Sequence, residues 1–166
     1  MKRSIALCLL LGLMAAPIAA QITKYGVTVK ADIKTDFTKL KTYVWETGWQ
    51  SPDKNVHQQI VAAVDRELAG LGFEKKASGP SDALLTYATQ RRTDVDLKSK
   101  PAQEKGPRQP YDVGTLLVLV LEPGTRKELF RARGDQPIEA EPEKLQAAID
   151  AMVAEMFAKY PTRTRK

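Results

Sequence analysis

An unbroken apolar run at residues 116–121, Leu-Leu-Val-Leu-Val-Leu, most constrains how this chain can fold. A run that is apolar at every position predicts a strand that is buried on both faces and therefore central in its sheet. Residues 122–125, Glu-Pro-Gly-Thr, suit a turn. The chain can then return over residues 128–133 as a hairpin partner, with Phe130 and Ala132 on one face.

Four other segments carry strand patterns. Residues 25–33 alternate apolar with polar side chains, which is the period of a strand with one buried face. Residues 42–45, Thr-Tyr-Val-Trp, are the β-branched and aromatic types that strands favour. Residues 73–76 and 82–96 are the remaining strand candidates. Together with the hairpin, these segments predict a sheet of about six strands.

Two helices are predicted, each with a single apolar stripe. The first has Ser51 as its N-cap and ends at Gly72, a residue type that readily adopts the left-handed conformation found at helix ends. The second begins at Pro142 and stops at Pro161. We therefore predict an α+β fold, a largely antiparallel sheet of about six strands with two helices packed on one face, in the order β-β-α-β-β-β-β-α.

One stretch, residues 98–112, does not fit this compact plan. It contains Pro101, Pro107 and Pro110, and four basic residues against two acidic ones. The stretch is also longer than an ordinary hairpin turn. We predict a mobile, mildly basic loop here.

Residues 1–20 are interpreted as a secretory signal peptide. Lys2 and Arg3 precede an apolar run at residues 5–16, and small residues follow up to Ala20. A run of about a dozen residues is shorter than the ~20 that a membrane-spanning helix needs. We expect cleavage after about Ala20, export to the periplasm or the outer envelope, and no transmembrane segment.

The only cysteine of the chain, Cys8, lies inside this apolar run. A lipidated cysteine would follow small residues at the end of such a run, so we do not expect lipidation. Cleavage would leave a protein without cysteine, which excludes disulfides, thiolate metal sites and cysteine nucleophiles.

Positive charge is concentrated at the ends of the chain. Of the net charge of +6, two charges belong to the signal peptide and three to residues 161–166. The remainder, residues 21–160, is nearly neutral at +1. We predict one domain over residues 21–160, followed by a flexible basic tail at 161–166.

Few side chains could support catalysis. His57 is the only histidine, and it follows the stripe residue Val56, so it is predicted to be solvent-exposed rather than a catalytic base. Asp94 and Asp96 lie two apart on an extended segment, a spacing that suits Ca²⁺ or an acid/base pair. Arg91 and Arg92 are close enough to neutralise them, which favours a solvated strand face. No catalytic, metal-binding or cofactor-binding residue is therefore assigned, and no cofactor is predicted.

Three residues are candidate partner contacts. Trp49 lies in a loop, where an exposed tryptophan could anchor a partner, although the favoured interpretation is that it packs over the sheet edge. Arg108 and Tyr111 belong to the basic loop, which could contact anionic lipid or lipopolysaccharide. Nucleic acid is not expected as a partner, because the domain is nearly neutral and its basic residues are not interleaved with aromatic ones.

Six short segments occur in an order that is shared with a known family. They are Asp-Phe-Thr-Lys-Leu-Lys-Thr-Tyr-Val-Trp at 36–45, the helix and its exit at 60–73, and the segments 82–87, 114–118, 129–134 and 157–161. In this order they resemble the domain-of-unknown-function 4136 family of bacterial envelope proteins. The resemblance implies an α+β fold and an envelope location. It implies no activity and no site residues, because none is assigned to the family.

The chain departs from the family pattern in two places. Family members are often lipoproteins, whereas this chain lacks the cysteine that would be lipidated. Phe130 stands where a tryptophan is common, and it retains a core role.

These observations lead to the hypothesis of a secreted or periplasmic, non-enzymatic module that binds an envelope protein or an anionic envelope component. Two alternatives remain open. One is a hydrolase that uses carboxylates brought together by the fold. The other is a carrier of a small molecule or lipid, which would need an apolar cavity between sheet and helices. The sequence does not indicate an oligomeric state.

Overall fold

A six-stranded sheet and two helices make up the computed structural model, which describes residues 25–95 and 110–162. The elements are β1 (Gly26–Ala31), a short 3-10 helix (Phe37–Lys39), β2 (Thr42–Trp45), α1 (Lys54–Gly70), β3 (Glu74–Lys76), β4 (Ala83–Val95), β5 (Pro110–Leu121), β6 (Glu128–Pro137) and α2 (Pro142–Ala158). In space the strands follow the order β1-β6-β5-β4-β2-β3. Strand β2 is parallel to β3 and β4, and the other pairs are antiparallel. The predicted α+β class, the largely antiparallel sheet and the order of elements are confirmed.

The hydrophobic core lies between one face of the sheet and the two helices. Tyr87, Val118 and Ala132 are neighbours across β4, β5 and β6, and all three are buried. They belong to one cluster with Val64 of α1 and Val153 of α2. Each helix contributes its apolar stripe to this cluster, as the sequence periodicity predicts.

The opposite face of the sheet, here called the open face, is only partly covered. On β5, Val118 and Val120 point to the helices and are buried, whereas Leu117 and Leu119 on the open face are half-buried. The prediction that this strand is buried on both faces is therefore wrong, although it does lie between two other strands. Both helices contribute to a single core on the other face, so no described helix covers these leucines.

The first helix begins later than the sequence predicts. The carboxylate of Asp53 accepts hydrogen bonds from the backbone N–H groups of Asn55 (2.8 Å) and Val56 (3.2 Å), so Asp53 is the N-cap. Ser51 is not the N-cap, because its hydroxyl accepts instead from the N–H of Asp53 (3.3 Å). After the helix, Gly72 has a φ of +85°, which agrees with its predicted role at the helix end.

The loop predicted over residues 98–112 includes residues that belong to a strand instead. Its last three residues belong to β5, which pairs with β4 as far as Pro110 and Val95. Asp112 extends the strand because its carboxylate is bound by Arg91 and by the Thr93 hydroxyl (3.0 Å) of β4. Residues 98–109 lie outside the described residues, as do the predicted signal peptide with Cys8 and the end of the basic tail.

Within the two described ranges, neither helix has the length and the apolar character that crossing a membrane requires.

Candidate ligand-binding face

The open face carries a groove of about 600 Å³, here called the open-face groove. Ala88 and Leu117 contribute apolar side chains to its lining, and Trp49 stands beside them. Lys30, Arg131 and Arg133 supply cationic groups. Their strands are adjacent, since Lys30 of β1 lies opposite Arg131 of β6. None of the described residues that line the groove is acidic.

Trp49 is held in place by backbone hydrogen bonds although its side chain is 85% exposed. The N–H of Glu46 donates to the carbonyl of Leu85 (2.7 Å), and the N–H of Thr89 donates to the carbonyl of Trp49 (3.0 Å). The segment therefore runs along β4 beyond the end of β2. An exposed side chain of this size on a fixed backbone is the usual form of an anchor residue.

Gly48 allows this segment to approach β4 closely. A Cβ atom at this position would lie 2.3 Å from the hydroxyl oxygen of Thr86 and 2.5 Å from the carbonyl oxygen of Tyr87. Any larger residue would push the segment away from the sheet. The glycine thus fixes where the neighbouring Trp49 stands.

The two arginines of the groove are oriented by acidic neighbours outside its lining. Arg133 makes two bonds to Asp135, through Nε (2.9 Å) and Nη2 (3.1 Å). Arg131 is paired with Glu128. A two-point contact fixes the plane of a guanidinium group and leaves its other N–H groups for a ligand.

Asp135 joins a second polar cluster on the open face. It also accepts hydrogen bonds from the Thr115 hydroxyl (2.5 Å) and from Arg92 (2.8 Å). Burial opposes the charged form, but the bonds from Arg133, Thr115 and Arg92 outweigh it and lower the pKa of Asp135 to about 2. Arg92 lies 3.5 Å from Asp94, so the predicted neutralisation of Asp94 by a neighbouring arginine is observed. Asp96, its proposed companion, lies outside the described residues.

Tyr111 and Trp49 share the open face but not the groove. Tyr111 is six positions from Leu117 on β5, which corresponds to about 20 Å along a strand. Its hydroxyl is hydrogen-bonded to that of Tyr25, and the two rings meet edge to face with centroids 6.3 Å apart. The structure therefore separates these two candidate contacts, while Arg108 lies outside the described residues.

His57 is half-buried, so the prediction of a solvent-exposed histidine is wrong. Its Nδ1 atom lies 2.7 Å from the hydroxyl of Tyr87, and its ring stacks on the Tyr87 ring with centroids 5.8 Å apart. The same hydroxyl accepts from the N–H of Ser51 (3.2 Å). The sequence contains a signal for this position, because His57 precedes the buried Ile60 by three residues and so shares its side of the helix.

A second groove, here called the helix-face groove, lies between the sheet and the N-terminal halves of the two helices. It measures about 550 Å³. Its lining combines aliphatic side chains, including Val56, Ile60, Ile138, Leu145 and Ile149, with polar and charged ones such as Asp53, Gln90 and Arg91. It lies where the carrier hypothesis requires an apolar cavity, although its lining is partly polar. Among the described residues, no group of three or more His, Cys, Asp or Glu side chains could hold a metal ion.

A family comparison fits the fold just described. The family model described as Domain of unknown function (DUF4136) matches residues 27–162, which extend from β1 to beyond α2. The chain belongs to the DUF4136 family. The resemblance found in the sequence is thereby confirmed, and Phe130 is fully buried, which agrees with its predicted core role.

Solved structures share the DUF4136 fold at low sequence identity. A PDZ domain protein from Parabacteroides distasonis ATCC 8503 has a TM-score of 0.55 and 18% identity over 86% of this chain, which spans 36% of that protein. The PelC dodecamer from Paraburkholderia phytofirmans has a TM-score of 0.54 and 11% identity over 86% of this chain and 99% of the PelC chain. A comparison with curated proteins gives no match.

Proposed function

We propose that this protein is an exported binding module of the cell envelope, which captures an anionic envelope component with its open face. The observation that carries the proposal is Trp49, 85% exposed beside a groove that is lined by cations and by no described acidic residue. The N-terminal signal pattern supports export, with cleavage after about Ala20 and a domain over residues 21–160. The family resemblance supports an envelope location.

A binding role suits the chemistry of the open-face groove. Arginine and lysine side chains recognise anions, and a tryptophan ring offers a large apolar contact at little conformational cost. Because hydrogen bonds fix the backbone of Trp49 and an ion pair orients Arg133, the free protein already presents these groups in place. Such preorganisation lowers the cost of ordering side chains on binding.

Site-specific photocrosslinking tests this proposal. A photoreactive phenylalanine derivative replaces Trp49 in one full-length protein and Lys39 in a control, since Lys39 is also exposed but does not line the groove. We expect an envelope component to be crosslinked from position 49 and not from position 39, and the protein to be recovered without residues 1–20. Equal products from both positions, or none from position 49, would contradict the proposal.

Carriage of an apolar molecule is a second candidate function, and the helix-face groove favours it. Val56 is half-buried at the mouth of this groove, so Val56→Trp would fill the space that a ligand needs. If the protein is a carrier, dodecanoate should bind to the wild type at least about tenfold more tightly than to this variant. Isothermal titration calorimetry provides the measurement. Trp49→Ala is the matched control and should leave dodecanoate binding unchanged, because Trp49 lines the other groove.

A further inference from the structure

The open-face groove combines three kinds of group. An exposed indole ring, that of Trp49, stands at one side. Aliphatic carbon from Ala88 and Leu117 is exposed in the lining. The rest of the lining includes polar side chains with an amide or a hydroxyl group, such as those of Gln90 and Thr28. A ligand that matches the groove must therefore offer apolar faces and many hydroxyl or carboxylate oxygens together.

The cationic side chains of the groove favour a ligand whose negative charges are single and separated from one another. Lys30, Arg131 and Arg133 line it, but the two arginines are paired with Glu128 and Asp135 just outside. The net charge of this patch is therefore small. Adsorption to an anionic membrane needs several cations near the surface. A membrane surface would depend on charge alone, whereas a chain with one carboxylate per unit also offers the hydroxyl and C–H groups that the rest of this lining can contact.

The dimensions of the groove favour a chain over a single small molecule. The groove reaches from Trp49, beside β4, across β5 and β6 to Lys30 of β1. Neighbouring strands lie about 4.8 Å apart, so β4 and β1 are separated by about 14 Å. A linear ligand lying across the strands could contact the indole at one end and the cations at the other.

We infer that the open-face groove binds a saccharide chain that bears carboxylate groups. The inference rests on the proposed function and names its ligand class. The apolar C–H face of one sugar ring packs on the Trp49 indole. The guanidinium groups of Arg131 and Arg133 bind carboxylate and hydroxyl oxygens of the following units, for which their planar pairs of donors are suited.

Calorimetry with defined probes tests this inference on the exported protein. The probe is a hexamer of uronic acid, and the comparison ligands are a neutral glucan hexamer and phosphatidylglycerol vesicles. We expect the uronic acid hexamer to bind and Trp49→Ala to weaken it at least about tenfold, with Trp49→Phe within about threefold of wild type. Arg131→Gln should weaken the hexamer several-fold and reduce the dependence of its affinity on salt. The control Lys39→Ala should change nothing.

Each alternative result separates this inference from the proposed function. Equal binding of the neutral hexamer would overturn the carboxylate assignment. Binding of the vesicles without the uronic acid hexamer would identify a lipid surface instead. If the hexamer does not bind while photocrosslinking from position 49 succeeds, the ligand class is wrong and the binding module stands. If both fail, the proposed function fails too. Because Trp49 is 85% exposed, its substitution should leave thermal unfolding unchanged, which excludes loss of the fold as an explanation.

Discussion

Replacing Phe130 with alanine is expected to lower the free energy of unfolding by about 3–5 kcal/mol. Phe130 is fully buried on β6, and its ring lies 4.9 Å from that of Tyr160 and 5.9 Å from that of Phe157, measured between centroids. The truncation removes these contacts and leaves a cavity between the sheet and the end of α2. Since domains of this kind are stable by only about 5–15 kcal/mol, the variant should unfold at clearly lower urea concentrations.

Phe130→Leu is the matched control for this prediction. It keeps part of the apolar volume and should cost about 1–2 kcal/mol, because it leaves a smaller cavity than alanine does. Urea denaturation followed by circular dichroism gives both values. Similar losses for the leucine and alanine variants would show that the cavity is not the main effect.

Asp65→Ala is expected to cost about 2–4 kcal/mol, although Asp65 itself is only half-buried. One of its oxygens accepts hydrogen bonds from the hydroxyl of Tyr43 (2.7 Å) and from Nε1 of Trp45 (2.8 Å). Tyr43 is buried, and its pKa is raised by burial and by the hydrogen bond to Asp65, so its hydroxyl stays protonated and needs an acceptor. Alanine would leave both donors without this partner.

Two further variants distinguish the contribution of the two hydrogen-bond donors from that of the ion pair that Asp65 makes at the surface. Its other oxygen pairs with Lys75 at 2.8 Å, and both side chains of this pair are partly exposed. Lys75→Ala should therefore cost less than about 1 kcal/mol. Asp65→Asn, which keeps an acceptor for the two donors, should fall between the two alanine variants in the same urea measurements. A loss for Lys75→Ala that equals the loss for Asp65→Ala would contradict this account.

The sequence predicts the helices and strands better than it predicts which strands pair with one another. Periodicity identifies the strands and helices because each pattern reports which side of an element is buried. It cannot report that β2 is flanked by β4 and β3 in parallel, since that depends on where α1 returns the chain. The hydrogen bonds of Tyr43 and Trp45 to Asp65 also depend on how α1 packs against β2, so no local sequence pattern predicts them. The apolar pattern predicts only part of β5, because Asp112 and its partners on β4 are polar.

The sequence predicts only part of the candidate site. Trp49 stood out as a large aromatic residue in a loop, and the structure places it beside the open-face groove. Arg131 and Arg133 were missed, although a signal existed: if Phe130 and Ala132 face the core, the residues beside them must face the opposite side. The sequence alone does not assign Lys30 to the same site, because Lys30 lies beside Arg131 only through the pairing of β1 with β6.

That same pairing has a consequence for how the protein assembles. In the described sheet β1 has one strand neighbour, β6, and the paired residues, such as Ala31 and Phe130, are about a hundred positions apart in the chain. Closing so long a loop is entropically costly, so the local hairpins of β4, β5 and β6 should form before β1 is added. Until residues 130–135 have been synthesised, β1 has no strand to join. Completion of the sheet therefore requires synthesis of β6, the last strand of the described sheet in chain order, and a nascent chain that stops short of β6 leaves β1 unpaired.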